Sequence, residues 1–323
     1  MSSSQSPSLW QVEDAGPQHS SQIRALFESI FKEEMSSAHW QWKYGDGRGV
    51  GVVVRHNDEV IAFFGGTERR VLFNGEYLCA IQCCDSMVAE THRGTLSKKG
   101  PFYLSVTSFL GQFVGQGLTY LLSYGFPNAR AMRLAERLGV YEEVGTLLDV
   151  SWRPQNSPIF DFSNFDFSLE EHRQILERLW QAMAAEFTDR SIGIRDLAYI
   201  RQRFHEHPSL DYNLHLVDLA EDSETIGLLI TREVESRLLL VDVVGETQNF
   251  HRLVEAGRHL AFEKECNDLY GWLTEVDYSL IADTGVITGE KPLRLPLGVY
   301  SPGLKTSEVQ DKWFFMCGDS DYL

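Results

Sequence analysis

The chain has 323 residues, a formal net charge of −17, 43% hydrophobic and 23% charged residues; this is ample material for a core and excludes a disordered or low-complexity chain. At roughly 150 residues per domain the length suggests two domains, and the acidic balance lacks the positive footprint that phosphate backbones require, so no nucleic-acid partner is expected. No apolar run approaches the roughly 18 residues of a membrane span, and 1–7 lack a basic-then-apolar signal pattern, so a cytoplasmic location without membrane association is expected.

Ile23, Phe27, Ile30 and Phe31 recur at helical spacing and predict a helix over 21–42. Gly45-Asp46-Gly47 then breaks the pattern. Strand-like runs follow at 50–55, 60–65, 69–73 and 77–88. Asn57-Asp58 and Asn74-Gly75 stand between them as turn signals, the second a strong hairpin signature, so an antiparallel meander is expected. Cys79, Cys83 and Cys84 fall in the last run, with Cys266 and Cys317 remote and no Cys-x-x-Cys. These are read as reduced thiols rather than a disulfide framework or a zinc ribbon, and no metal is expected. No histidine stands at a motif spacing from Cys83 or Cys84, so packing is expected of them rather than nucleophilic catalysis.

Residues 90–100 are polar and basic, with Arg93, Gly94, Lys98, Lys99 and Gly100. A helix follows, with Val106, Phe109, Leu110 and Phe113 on one face, ended by Gly115 and Gly117. A short apolar strand is read at 118–124, then the turn Gly125-Phe126-Pro127-Asn128. The next helix shows Ala131, Leu134, Ala135 and Leu138 at i, i+3, i+4 and i+7, with Gly139 as its stop. A strand region over 140–152 closes the half, and 153–158, with two prolines, is the linker candidate. The second half is read as helices at 170–187 and 195–205, strands at 212–219, 225–233 and 237–244, a helix at 250–267 and a strand at 269–275. The order of elements returns without a sequence repeat. Two tandem α+β domains, 1–153 and 159–323, are therefore expected. They differ in charge: the first 153 residues carry 14 Lys+Arg and 16 Asp+Glu, the remainder 15 and 30.

The stretch from Asp85-Ser86-Met87-Val88 through Tyr141 resembles the GNAT superfamily of acyl-CoA-dependent N-acyltransferases. A strand ending in Asp85 to Val88 runs into His92-Arg93-Gly94, then Gly100, then a helix. Tyr124-Gly125-Phe126-Pro127-Asn128 forms the next strand-to-helix junction, and 133–140 is similar to the closing helix. The resemblance covers about 10–152; 159–323 more weakly resembles the C-terminal domain of tandem members. It implies two tandem GNAT-like domains of α+β class, each a mixed, mostly antiparallel sheet flanked by helices. The first would bind acyl-CoA, with acetyl-CoA the foremost co-substrate, and acylate a primary amine on a small molecule or peptide. The second would be a degenerate copy. In this resemblance Arg93, Gly94, Lys98, Lys99 and Gly100 cradle the pyrophosphate, a backbone N–H of Met87 or Val88 faces the thioester, and Asn128 stands beside the cofactor. The loop is longer than the family's, and Ala135 stands where the family often carries a tyrosine.

Elementary physics supports the loop independently, because a helix N-terminus offers unpaired N–H groups and glycines let backbone approach phosphate oxygens. Asp85 is the leading carboxylate for accepting the amine proton, with Glu90 next in line; turn capping or ion pairing are the structural alternatives. His205-Glu206-His207 is read as a helix end rather than a metal site, since i and i+2 point to different faces. Trp40 and Trp42 are read first as packing residues. A non-catalytic acyl-CoA sensor or interaction module on the same fold is the alternative function. An aminoacyl transferase acting on tRNA is disfavoured by the charge.

Overall fold

The computed structural model describes residues 10–93, 98–221, 224–281, 286–289 and 292–321. Over these residues the chain divides into two compact units: Met1–Arg69, Cys79–Glu143 and Pro296–Glu308 form one, and Arg70–Leu78, Val144–Leu295 and Val309–Leu323 the other.

In chain order the first unit begins with β1 (Gln11–Asp14), α1 (Ser20–Phe31), α2 (Ser37–Tyr44), β2 (Gly49–His56), β3 (Glu59–Phe73, to Arg69) and β4 (Glu76–Val88, from Cys79). It continues with α3 (Pro101–Phe113), β5 (Leu122–Gly125) and α4 (Ala129–Arg137). The strands order as β1-β2-β3-β4-β5. The first two pairings, β1 with β2 and β2 with β3, are antiparallel, and β4 with β5 is parallel. Strand periodicity assigns the two faces. Val52, Phe64, Ile81 and Cys83 pack with Val106, Phe109 and Leu110 of α3 and Met132 and Ala135 of α4. Their chain neighbours Val53 and Phe63, with Met87, pack on the opposite face with Ile23 and Leu26 of α1 and with Trp40 and Tyr44 of α2.

The helix expected over 21–42 is two helices. Lys32 takes a left-handed conformation (φ 63°) that ends α1, and Ser36 caps α2 by accepting from the His39 N–H at 3.0 Å. The two strands expected at 60–65 and 69–73 are one continuous β3. Gly66 is needed within it: a Cβ there would lie 2.7 Å from both Ile81 and Phe109. Asn74 and Gly75 both have positive φ (49° and 81°), as a type I′ hairpin turn requires.

The second unit contains β6 (Tyr141–Trp152, from Val144), β7 (Phe160–Asn164), α5 (Glu170–Ala185), β8 (Ser191–Gly193), α6 (Leu197–Ile200), β9 (Asn213–Leu219), β10 (Thr225–Val234) and β11 (Arg237–Val244). After these come α7 (Phe250–Glu263), β12 (Leu269–Thr274), α8 (Tyr278–Ile281) and β13 (Val286–Ile287). Its sheet orders as β13-β6-β12-β11-β10-β9-β7, antiparallel except for the parallel pair β11 and β12. Leu176, Leu179 and Trp180 of α5 and Phe250, Leu253 and Val254 of α7 share one core with its strands. The segment 154–158 lies inside this unit. Ser157 is buried, its N–H donating to His259 Nδ1 at 3.1 Å and its hydroxyl to Glu255 at 2.7 Å. The fold is thus α+β, with two mixed, mainly antiparallel sheets flanked by helices.

Candidate functional site

In the first unit β4 and β5 pair in parallel from Ala80↔Leu122 to Cys83↔Gly125. There β5 ends, and Phe126, Pro127 and Asn128 lead into α4. β4 instead runs on to Val88 beside β3, and the Ala89 N–H still donates to the Ile61 carbonyl at 2.8 Å. Adjacent parallel strands that part in this way open a crevice at their carboxyl ends, the edge from which both following helices start.

The two helix starts differ. Asn128 accepts from the Arg130 and Ala131 N–H groups at 3.1 and 2.9 Å, so α4 is already capped. The N-cap of α3 is Gly100, which brings no side chain; Pro101 follows, and the first turn holds no acidic residue. The positive end of the α3 dipole is uncompensated by its own first turn. Lys98 and Lys99, immediately before it, are exposed. On the other flank of the loop, Glu90, Thr91 and His92 form a 3₁₀ turn, followed by Arg93. Arg93 donates from Nε to the Val88 carbonyl at 2.9 Å, and its Nη1 lies 3.7 Å from the exposed Glu90 carboxylate. Gly94 lies outside the described residues. Met87 points its side chain into the core with Ile23, Leu26 and Phe63.

Asp85 sits where β4 breaks its alternation. Its φ is +49°, a left-handed conformation uncommon outside glycine, and it re-aims the side chain. The Tyr44 hydroxyl consequently meets two consecutive residues, donating to Asp85 Oδ2 at 2.5 Å and lying 3.4 Å from Cys84 Sγ. Lys43 Nζ is 3.0 Å from Asp85 Oδ1 and 2.9 Å from Oδ2, with only 5% of the Lys43 and 7% of the Asp85 side chain exposed. Burial, then the charge of Asp85, push the Tyr44 hydroxyl well above its ordinary pKa, so it stays protonated and acts as a donor. Asp85 is thus an ion-paired, tyrosine-bonded carboxylate within the sheet-to-helix interface.

Lys43 and Tyr44 escape a sequence reading because they lie 42 and 41 residues from Asp85. The one available signal is a lysine beside the tyrosine in an otherwise aromatic helix end. Ala135, on the core-facing side of α4, is fully buried. Trp40 stacks on Tyr44 with centroids 4.4 Å apart, so it packs as expected and orients that hydroxyl. In the second unit the His205 ring lies 4.5 Å from the Phe167 ring, and His207 accepts from the Ser209 and Leu210 N–H groups.

No protein-family model matches the sequence, and no curated protein matches it. Solved structures do match its architecture. A conserved Enterococcus faecalis protein of unknown function aligns at TM-score 0.66 and 12% identity, over 90% of this chain and 72% of that one. A GCN5-related N-acetyltransferase from Anabaena variabilis aligns at 0.64 and 13%, over 90% and 73%. The fold is that of the GCN5-related N-acetyltransferases. Saccharomyces cerevisiae N-myristoyltransferase, solved with bound myristoyl-CoA, aligns with this GNAT-fold chain at 0.57 and 10%, over 94% and 89%. At such identities the likeness concerns the GNAT fold and not the substrate. No described helix is long and apolar enough to cross a membrane.

Proposed function

We propose that this protein is an acyl-CoA-dependent N-acyltransferase, with acetyl-CoA the first co-substrate to test, that acylates a primary amine by direct attack. The observation carrying this is the parting of the parallel strands β4 and β5, with the start of α3, lacking a side-chain cap and preceded by two lysines, at the same edge. A diphosphate suits that start: backbone amides and a dipole meet its charge, while Lys98 and Lys99 neutralise the remainder. Arg93 and Gly100 complete the described part of the cradle, with Gly94 between them in sequence. Met87 or Val88 would present a backbone N–H to the thioester carbonyl, and Asn128 would border the pantetheine arm while capping α4.

Asp85 would position the acceptor amine or relay its proton, and Glu90, exposed beside Arg93, is the weaker candidate. An alkyl ammonium has a pKa near 10.4, so about one molecule in 2,500 is the free amine at pH 7 and a proton acceptor is required. Tyr44 and Lys43 both donate to Asp85, which orients its carboxylate and engages both of its oxygens. A non-catalytic acyl-CoA sensor is the second reading, favoured by Ala135 in the tyrosine position and by the compensated Asp85. Thiol release from acetyl-CoA against a panel of amines decides: amine-dependent release supports the transferase, whereas tight coenzyme A binding without release supports the sensor. Absence of binding removes both. We further propose that the first unit carries the cofactor, while the second binds no coenzyme A and serves the acceptor side.

A further inference from the structure

Trp10 stands one residue before β1, whose pairing Gln11↔Arg55 brings it to the end of β2. Its ring meets His56 edge-on at 5.3 Å and His92 at 5.5 Å, and the two histidine rings are 5.6 Å apart. Its indole Nε1–H donates to the Lys99 carbonyl at 3.1 Å. Trp10 also packs on Val54, Ile61 and Ala62, the cluster that receives Val88 and Ala89 from the end of β4 and Leu104 from the first turns of α3. One side chain, 89 residues from Lys99, therefore touches both described flanks of the β4–α3 connection: His92 before it and Lys99 after it.

We infer that Trp10 is a positioning residue for diphosphate recognition, fixing the separation of Arg93 from Lys98 and Lys99. This rests on the proposed acyl-CoA function. An unrestrained loop of this length would lose conformational freedom on binding a ligand, and holding its two ends in advance lowers that cost. The indole hydrogen bond sets the Lys99 backbone, and hence the approach to Gly100 and α3. The ring contacts set the turn that precedes Arg93. Trp10 touches neither the thioester nor the amine, so its effect belongs to cofactor affinity and not to chemistry.

The test is calorimetric titration of the full-length protein with coenzyme A and with pantetheine, which lacks the diphosphate. Trp10→Phe keeps an aromatic ring but removes the Nε1 donor. It should weaken coenzyme A about three- to tenfold, the loss of one hydrogen bond, while pantetheine affinity and thermal midpoint stay as in the wild type. In turnover, KM for acetyl-CoA should rise by the same factor without change in kcat. Trp10→Ala should weaken coenzyme A further; should it fail to fold, Trp10→Phe alone decides. Unchanged coenzyme A affinity in Trp10→Phe, or an equal loss for coenzyme A and pantetheine, overturns the inference while leaving acyl-CoA binding standing. Wild-type protein that does not bind coenzyme A overturns the proposed function, and the inference with it.

Discussion

Each unit contains a strand–helix–strand crossover with parallel strands, and the two are built for different ends. In the first unit β4 leads to α3 and back to β5; in the second β11 leads to α7 and back to β12. The first connection carries Arg93, Lys98 and Lys99 and ends on a glycine N-cap. The second is only 245–249, with Glu246 and no basic residue. Its Thr247 N–H already donates to the Glu186 carboxylate at 2.9 Å. A carboxylate thus occupies, in the second crossover, the amide end that a phosphate would need.

Both crossovers also bury an aspartate near the end of the leading strand. Asp85 in β4 has a lysine and a tyrosine. Asp242 in β11 shares the fully buried Arg195 with Asp319, at 3.0 and 2.7 Å. Asp319 accepts the Met316 N–H as well, and Arg203 donates to the carbonyls of Gly318 and Ser320. The cluster in the second unit therefore fastens the segment 316–320 and has a structural task. The same motif of a strand-end carboxylate serves packing in one unit, and we propose that it serves chemistry in the other.

The largest expected effect breaks the structural member of this pair. Arg195→Met removes the buried cation that Asp242 and Asp319 share, which should cost about 3–5 kcal/mol of stability in chemical denaturation. A change below about 1 kcal/mol would show that Asp242 and Asp319 are compensated elsewhere.

Next comes the proposed functional member. Asp85→Asn should lower the turnover number roughly a hundredfold, with coenzyme A affinity within about twofold since the loop is untouched, and the loss should shrink at high pH where the amine deprotonates unaided. It also removes the carboxylate that pairs with the buried Lys43, so Asp85→Asn with Lys43→Met is the matched control. If the double variant recovers stability and not turnover, the two roles separate. Full activity of Asp85→Asn at neutral pH would pass the proton to Glu90 or a water chain.

Arg93→Glu should weaken coenzyme A by about 1.5–3 kcal/mol, the range for a charge-assisted hydrogen bond. Calorimetry showing unchanged affinity would remove Arg93 from the cradle. The same titration sharpens the contrast between crossovers: one coenzyme A per chain is expected, and two would mean that the second crossover binds despite Glu186 and Glu246.

The smallest effect is a pH slope. Burial pushes Asp242 up to about 6, against the attraction of Arg195 and with the help of Asp319. The folded state then binds this proton more tightly than the unfolded chain, whose carboxyl titrates near 4. The stabilisation is complete below about pH 4 and is lost as pH rises through about 6. Relative to Asp242→Asn, the wild type should lose stability as pH rises across that window in denaturation series. Parallel slopes in the two proteins would place the titration on another group.

The local pattern along the chain was enough for the α+β class, the Asn74-Gly75 hairpin and the amphipathic α3 and α4, because each depends on periodicity or on residues with special backbone freedom. The 195–205 helix was legible only in part: Asp196 caps α6 by accepting from Tyr199 N–H at 2.9 Å, and the chain then widens, with Glu206 N–H reaching back to Arg201. The split of 21–42 was readable from Ser36 but is completed by Lys32 in a conformation that its residue type does not announce. The continuity of β3 through Gly65 and Gly66 was set by close packing, of Gly65 against Tyr44 and Phe63 and of Gly66 against Ile81 and Phe109, which glycine alone accommodates. The partners of Asp85 and of Asp242, and the grip of Trp10 on Lys99, were decided only in the tertiary structure. Each joins residues tens of positions apart through side-chain atoms, and nothing in the local sequence encodes which distant donor meets a buried carboxylate or carbonyl.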